Sequence, residues 1–402
     1  MKKLDTTSLI QKHNRLLEST SLKFVRYLYD KLPWNERLIA IKGPRGTGKT
    51  TMLLQRIKKE FGKSNKALFV TLDDLWFTRN TLSDLADDFV NKGGTHLFID
   101  EVHKYANWSI EIKNLYDFYP ELNIVFTGSS LLEILNSRSD LSRRALAYEL
   151  QGLSYREYLN WKLDLDFESV ELEELVKNSA DISSEVVSKL KPLEYFDEYL
   201  RMGYFPFTGK NELIYYQRIK EILNMIIEME LPLLRNTGIS IIGKMRKLLF
   251  NISESAPFTP NASALSKKTE IARKTLLEYL HYLDEAKVIS AIYKDARGNS
   301  LLQKPDKIFL ENTNYIYAIA HGSPEIGNIR ETFFLNQAKE ANTVIYPKQG
   351  DFLVNGKFLF EVGGKRKSFD QIADIPNSFL AIDDIEYAVG NKIPLWLFGF
   401  LY

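Results

Sequence analysis

Gly43-Pro44-Arg45-Gly46-Thr47-Gly48-Lys49-Thr50 is the stretch on which the reading of this sequence turns. Two glycines at fixed distance followed by Lys and Thr form the G-x-x-x-x-G-K-[ST] pattern. The glycines let backbone N–H groups wrap a phosphate with no side chain in the way. Lys49 sets a point charge against phosphate oxygens, and the Thr50 hydroxyl is a ligand for Mg²⁺. Upstream, Arg37–Lys42 (RLIAIK) is an apolar run of strand type; downstream, Thr51–Phe61 has helical spacing. Strand, glycine-rich turn and helix in that order aim the positive end of the helix at the phosphates. Gly43, Pro44, Arg45, Gly46, Thr47, Gly48, Lys49, Thr50 and the adjoining Thr51 are therefore the expected nucleotide cradle, with Thr50 as a metal ligand.

Further apolar runs surround this motif. Ala67–Leu72, His96–Asp100 and Asn123–Thr127 read as buried strands, with Ala145–Leu150 a weaker fifth, and Leu82–Val90 reads as an amphipathic helix. Strands alternating with helices predict an α/β unit built on a parallel sheet covered on both faces. The run His96–Glu101 (HLFIDE) ends in two carboxylates. Asp100 is expected to organise Mg²⁺ through its water shell. Glu101, one residue on, is expected to polarise an attacking water as general base. The extra strand Ala67–Leu72 between the two motifs is the arrangement of nucleotide hydrolases that carry a catalytic Glu, rather than of kinases and small GTPases. Asn123–Ser130 (NIVFTGSS) ends in small polar residues. Thr127 is the first choice to hold the water or read the γ-phosphate, Ser129 the second, and Ser130 a helix N-cap.

The runs GPRGTGKT, LFIDEVHKY, FTGSS, LSRRA and LQGLSYREYL, in this order, resemble the AAA+ ATPase family, and most of all its prokaryotic members fused to a C-terminal domain of unknown function. The resemblance is strong over 37–160 and looser afterwards, where RMGYFP and DFLVNGKFLFEVGGK look like family landmarks. It implies a P-loop NTPase fold of the AAA+ type with a helical lid, and ATP binding and hydrolysis with Mg²⁺. In ring-forming members a basic residue after a helix reaches the neighbour's γ-phosphate, worth about 10³–10⁵ in rate. Arg138, Arg143 and Arg144 stand in such a place, with Arg144 taken as the catalytic candidate and a homo-oligomer as its consequence. A lid arginine of the sensor type has no clear match; Arg201 and Arg235 are the candidates.

Charge and pattern change along the rest of the chain. Residues 151–200 carry 5 basic and 12 acidic side chains, whereas 240–310 carry 12 basic and 7 acidic. Helical spacing at Tyr155–Trp161, Glu171–Lys177, Leu193–Arg201 and Leu213–Leu231 predicts a helical lid or linker. Two close helices within Leu265–Asp284 and a strand at Lys287–Tyr293 read as a winged helix-turn-helix. Its second helix begins near Ala272, so Arg273, Lys274 and Thr275, with Lys267 and Lys268 before them, are candidates for contact with double-stranded DNA. A protein partner is the competing reading, since Glu270, Glu278 and Asp284 dilute the basic patch.

Beyond 311 the pattern is α+β: a helix near Ile329–Glu340, strands at Thr343–Tyr346, Asp351–Val354 and Phe358–Val362, then a helix and a last strand at Leu395–Leu401. Asp351, then Glu361 and Lys365, resembles the metal signature of restriction-endonuclease-like nucleases, with Glu331 able to complete the site. The lysine fits poorly, because residues two apart share a face and the position two after Glu361 is Gly363. A nuclease-like fold reused for binding Lys365-Arg366-Lys367 to a partner is the plainer alternative.

Composition bounds these readings. The chain has 402 residues, 53 basic and 52 acidic side chains, 45% hydrophobic residues and no cysteine. Disulfides, thiolate catalysis and cysteine-ligated metal sites are excluded. The start, MKKLDTTSLIQKHNR, has no apolar run behind it, and Ile393–Tyr402 is far short of the ~20 residues of a membrane helix. The expectation is a cytoplasmic protein without membrane contact. Its parts are an ATPase core at 1–150, a helical lid at 151–239, a winged-helix region at 240–310 and a nuclease-like α+β domain at 311–402. Three functions follow: an ATPase controlling a DNA- or protein-binding module, a slow nucleotide switch that binds protein, and an ATPase-gated nuclease.

Overall fold

The computed structural model describes residues 4–128, 141, 143–207, 211–231, 240–254, 262–294, 304–320 and 322–402. The chain divides into two compact units, Met1–Gly152 and Leu153–Tyr402. Among the described residues no helix is long and apolar enough to cross a membrane.

The first unit is a parallel sheet between helices. Its strands are β1 (Leu38–Lys42), β2 (Ala67–Thr71), β3 (His96–Asp100), β4 (Asn123–Gly128) and β5 (Leu146–Glu149). They stand in the order β2-β3-β4-β1-β5, every pair parallel. Side chains alternate faces along each strand. Ile39, Ile41, Phe98 and Val125 meet Leu53 and Ile57 of α3 (Lys49–Glu60). Leu38, Ala40, Leu97, Ile99, Ile124 and Phe126 meet α4 (Leu82–Asn91) and α5 (Trp108–Phe118) through Leu85, Phe89 and Ile112. Burial on both faces is why these strands read as unbroken apolar runs. α4 opens on a capping box between Thr81 and Asp84. The edge strand β2 is covered by α1 (Thr7–Ser19), and the Phe69 N–H donates to His13 Nδ1 at 3.0 Å. A short helix, α2 (Leu28–Lys31), precedes β1.

In register, Lys42 pairs with Gly128 and Thr71 with Asp100. The carboxyl ends of β1, β3 and β4 therefore share one edge of the sheet, the edge at which open α/β sheets take ligands.

The second unit begins with four helices, α6 (Tyr155–Leu163), α7 (Leu172–Lys177), α8 (Ser179–Lys189) and α9 (Pro192–Met202), followed by α10 (Glu212–Met225). Three more, α11 (Ser240–Glu254), α12 (Ala262–Thr269) and α13 (Arg273–Glu285), lead into an antiparallel pair, β6 (Ile289–Ile292) and β7 (Lys307–Leu310). α14 (Thr313–Ile319) and α15 (Ile326–Ala338) precede a second sheet. Its strands β8 (Val344–Ile345), β9 (Phe352–Val354), β10 (Phe358–Gly363), β11 (Ser378–Ile382) and β12 (Lys392–Pro394) lie in sequence order, antiparallel from β8 to β10 and parallel from β10 to β12. Phe334 of α15 packs between Phe352, Phe360 and Phe398, with ring centroids 4.7–5.1 Å apart.

Buried amides bind the helices of this unit to one another. Asn314 accepts from Tyr204 N at 2.9 Å and donates to the Leu200 carbonyl at 2.8 Å. Gln337 accepts from Tyr155 N at 3.1 Å and donates to the Tyr199 hydroxyl at 3.0 Å. The carbonyl of Tyr402 accepts from Ser154 Oγ at 2.7 Å and Arg156 Nε at 2.9 Å.

Two expected elements are different. Leu395–Phe400 is a 3₁₀ helix, not a strand, and β11 precedes it where a helix was expected. Every residue of that helix is buried, so its apolar run signals burial on all sides and not extended backbone.

Candidate functional site

The phosphate-loop sequence leaves β1 directly after Lys42 and enters α3 at Lys49. Gly48 caps that helix with φ 98°, a left-handed conformation that glycine adopts without a Cβ clash. At Gly43 a Cβ would lie 2.2 Å from the Leu150 carbonyl oxygen, so the loop begins in direct contact with the chain leaving β5. Lys49 is buried and donates to the Gly43 and Pro44 carbonyls, each at 2.8 Å. Thr51, one position further into α3, is exposed.

Asp100 ends β3, and the Thr50 hydroxyl donates to its Oδ2 at 2.7 Å. The Thr127 hydroxyl, from the end of β4, donates to Asp100 Oδ1 and accepts from the Glu101 N–H at 3.2 Å. Thr127 thus aims the acidic pair, using its hydroxyl donor and one of the two acceptor lone pairs. Glu101 takes a left-handed backbone with φ 54°, a costly conformation for a residue with a Cβ and one that clusters at functional sites.

The Glu101 carboxylate lies 3.4 Å from Arg45 Nη2 and 3.3 Å from His103 Nε2. Burial first, and then the charges of Arg45, Lys104 and Lys49, push His103 down to about 3. The ring is neutral near pH 7, so its approach to Glu101 is not an ion pair. The sequence contained His103 inside the IDEVHKY run but offered no role for it.

The remaining arginine candidates disperse. Arg144 is held by Asp117, with Nε 2.9 Å from Oδ1 and Nη2 3.0 Å from Oδ2. Arg143 is exposed. Arg201 pairs with Asp197 at 2.9 Å in the second unit. Ser129, Ser130, Arg138 and Arg235 lie outside the described residues.

A second cluster of charge occurs in the second unit. Glu331 of α15, Asp351 before β9 and Glu361 of β10 do come together, but with cations other than Lys365. Lys307 of β7 lies 2.9 Å from Glu331 and 3.7 Å from Asp351. Lys367 lies 2.6 Å from Glu361, whereas Lys365 points to Asp384 at 2.9 Å. The reason is the turn after β10: the Lys367 N–H donates to the Gly364 carbonyl at 2.9 Å, returning the chain over Gly363. A Cβ on Gly363 would meet the Lys367 side chain at 2.8 Å, so glycine permits that return. Burial, then repulsion from Asp351, raises Glu331 above the usual carboxylate range. Among the described residues no group of three or more acidic or histidine side chains is arranged to hold a metal ion.

A loop of this sequence at the end of β1, a helix running from it, and Asp100 on a strand separated from β1 by β4 are the geometry of a P-loop nucleotide site. Residues 35–159 match the AAA domain family. The match ends at the fifth residue of α6, just past the division between the units. Over 404 aligned positions the chain is 27% identical to an uncharacterized protein of Methanocaldococcus jannaschii, MJ1637, covering 91% of this chain and 84% of that one. Among solved structures, AMPPCP-bound DnaA from Aquifex aeolicus is similar over 71% of this chain and 90% of its own, at 15% identity and TM-score 0.28. C. elegans PCH-2 is similar over 70% and 66%, at 13% identity and TM-score 0.24.

Proposed function

We propose that the protein is a Mg²⁺-dependent ATPase whose nucleotide state controls a DNA-binding second unit. The observation that carries the ATPase part is the 2.7 Å contact between the Thr50 hydroxyl and Asp100 at the mouth of the phosphate loop. A hydroxyl and a carboxylate side by side are the hard oxygen donors Mg²⁺ takes, so the residues fit that ion. Bound there, it would neutralise charge on the β- and γ-phosphate oxygens.

The chain's own groups divide the remaining work. Lys49, now donating to two loop carbonyls, is in place to exchange them for phosphate oxygens. The N–H groups of the loop and of the first turn of α3 bind the same oxygens. Glu101 takes the proton of the attacking water, with Thr127 fixing its backbone. A finger supplied by a second copy of the chain falls to Arg143, since Asp117 engages Arg144.

The DNA part rests on surface chemistry. Lys267, Lys268, Arg273 and Lys274 are all exposed at the junction of α12 and α13, ahead of the β6–β7 pair. A helix N-terminus flanked by lysines offers both fixed dipole and mobile charge to phosphates. The nuclease reading is weaker, because Lys307 and Lys367 already balance the carboxylates it needs.

Steady-state ATP hydrolysis with and without double-stranded DNA tests both parts, beside a Glu101→Gln control. DNA is expected to stimulate turnover, and Glu101→Gln to retain ATP binding while stopping hydrolysis. Turnover indifferent to DNA would replace the DNA reading with a protein-binding switch. Turnover unaffected by Glu101→Gln would remove its role as base.

A further inference from the structure

Arg26 lies in the segment between α1 and α2, in no recognisable motif, and is 4% exposed. Its guanidinium reaches three backbone carbonyls. Nη1 donates to Thr47 in the phosphate loop. Nη2 donates to Gln151 at 2.9 Å and to Gly152 at 2.8 Å, the last two residues before the second unit begins.

The segment carrying Arg26 is itself fixed. Gln55 Nε2, from the helix that follows the loop, donates to the Ser21 and Phe24 carbonyls, both at 2.8 Å. The Tyr27 hydroxyl donates to the Glu149 carbonyl at 3.3 Å. Beside them the Leu150 N–H bonds the Lys42 carbonyl at 2.8 Å, and Gly43 abuts the Leu150 oxygen. Loop and exit chain therefore meet twice, once through backbone and once through one planar cation.

The peptide bond gives the Thr47 contact its consequence. A peptide group is planar and trans, so its carbonyl and its N–H point in opposite directions. Holding the Thr47 carbonyl toward Arg26 turns the Gly48 N–H away from it. Thr47 is fully buried and its hydroxyl donates to the Pro44 carbonyl at 2.9 Å, which ties the residue to the start of the loop. The Gly48 N–H, at the cap of α3, is one of the donors that a phosphate in the loop would use. A guanidinium is a rigid fork, so a change of direction demanded at one carbonyl is felt at the others.

We propose that Arg26 is a positioning residue that sets the Gly48 N–H for phosphate and passes the state of the loop to Gln151–Gly152. Nucleotide occupancy is then read at the point where the chain leaves for the second unit. This rests on the nucleotide reading of the loop given above.

The test is hydrogen exchange by mass spectrometry on the full chain, with and without saturating ATP and Mg²⁺, in the Glu101→Gln background to prevent turnover. ATP is expected to slow exchange in two peptides, one over 43–51 and one over 149–153. In Arg26→Ala at saturation the response over 43–51 is expected to remain while that over 149–153 disappears. Nucleotide affinity is expected to fall roughly tenfold, the loss of one oriented hydrogen bond. A persistent 149–153 response in Arg26→Ala overturns the proposal, as does a silent 149–153 peptide in the Arg26 protein while 43–51 responds. A silent 43–51 peptide in the Arg26 protein instead overturns the nucleotide reading, and the proposal with it. Should Arg26→Ala not fold, Arg26→Lys gives the same reading, since an ammonium keeps the charge but not the planar fork; full transmission in Arg26→Lys refutes the mechanism.

Discussion

Two buried carboxylate groups, one in each unit, are held by opposite means. In the first unit Asp100 accepts from two hydroxyls, those of Thr50 and Thr127. Hydroxyls orient a carboxylate without cancelling its charge. In the second unit Glu331, Asp351 and Glu361 face the ammonium groups of Lys307 and Lys367. Lysines orient and cancel at once, leaving little negative potential for an outside cation. Both clusters use the same acidic residue types. What separates an open site from a closed one is the partner: a hydroxyl in the first, an ammonium in the second.

The comparison can be broken at several points, taken here from the largest effect down. Lys49→Ala is expected to abolish ATP binding, because the loop then loses its buried ammonium and Arg45 stays beside Glu101; a binding titration that still shows tight ATP would overturn the site. Lys307→Met is expected to destabilise the protein by about 3–5 kcal/mol in urea unfolding, since it strands Glu331 and Asp351 beside each other in a buried place. Adding Glu331→Gln should return part of that loss; no recovery would mean that Lys307 acts by packing and not by charge. Thr127→Val, removing a hydroxyl that cancels no charge, should cost only about 1–2 kcal/mol of stability while lowering turnover more than ATP affinity. Equal losses in both would show that Thr127 merely supports the fold.

Acid should move the two clusters in opposite directions. His103 is held near 3, below its unfolded value of about 6.5, so the unfolded chain binds more protons between those limits and stability falls as pH drops. Between pH 7 and pH 5 this contributes about 2 kcal/mol of loss. His13, lowered by burial and accepting from the Phe69 N–H, adds to it in the same direction. Glu331 has a raised value, so its contribution grows as pH falls through the folded value and is lost as pH rises through it. Hydrogen-exchange protection compared at pH 5 and pH 7, corrected for the intrinsic rate, should drop over 96–105 and hold over 351–363. Parallel changes in the two segments would remove the contrast.

The nucleotide half of this comparison was legible in the sequence because its parts are contiguous and its strands are buried on both faces. β1, β2, β3 and β4 fall within a residue of the apolar runs that announce them. The loop needs only local spacing, so Gly43 to Thr50 could be read as a unit. Arg26 could not, for its partners are carbonyls up to 126 residues away and any residue supplies a carbonyl. Lys307 was hidden in the same way: it stands on β7 and meets acids from α15 and the β9 approach. The neighbouring error over Lys365 has a more local origin. Strand alternation does not carry across a glycine pair, and the turn there returns Lys367 to the face on which alternation leaves no lysine.

The seat of Tyr402 has a consequence for how the molecule is made. Its carbonyl is grasped by Ser154 and Arg156, 248 and 246 residues earlier, and the Cβ of Tyr155 lies so near Gly399 that a methyl group there would stand 2.4 Å from it. A chain emerging from the ribosome one residue at a time can assemble the parallel sheet early, since that unit is complete by Gly152. The first helix of the second unit, by contrast, stays without its partner until the chain 246 to 248 residues further on has been made. Its exposed tyrosines must be kept from other chains through that delay, which makes this helix the place where a chaperone would have most to protect.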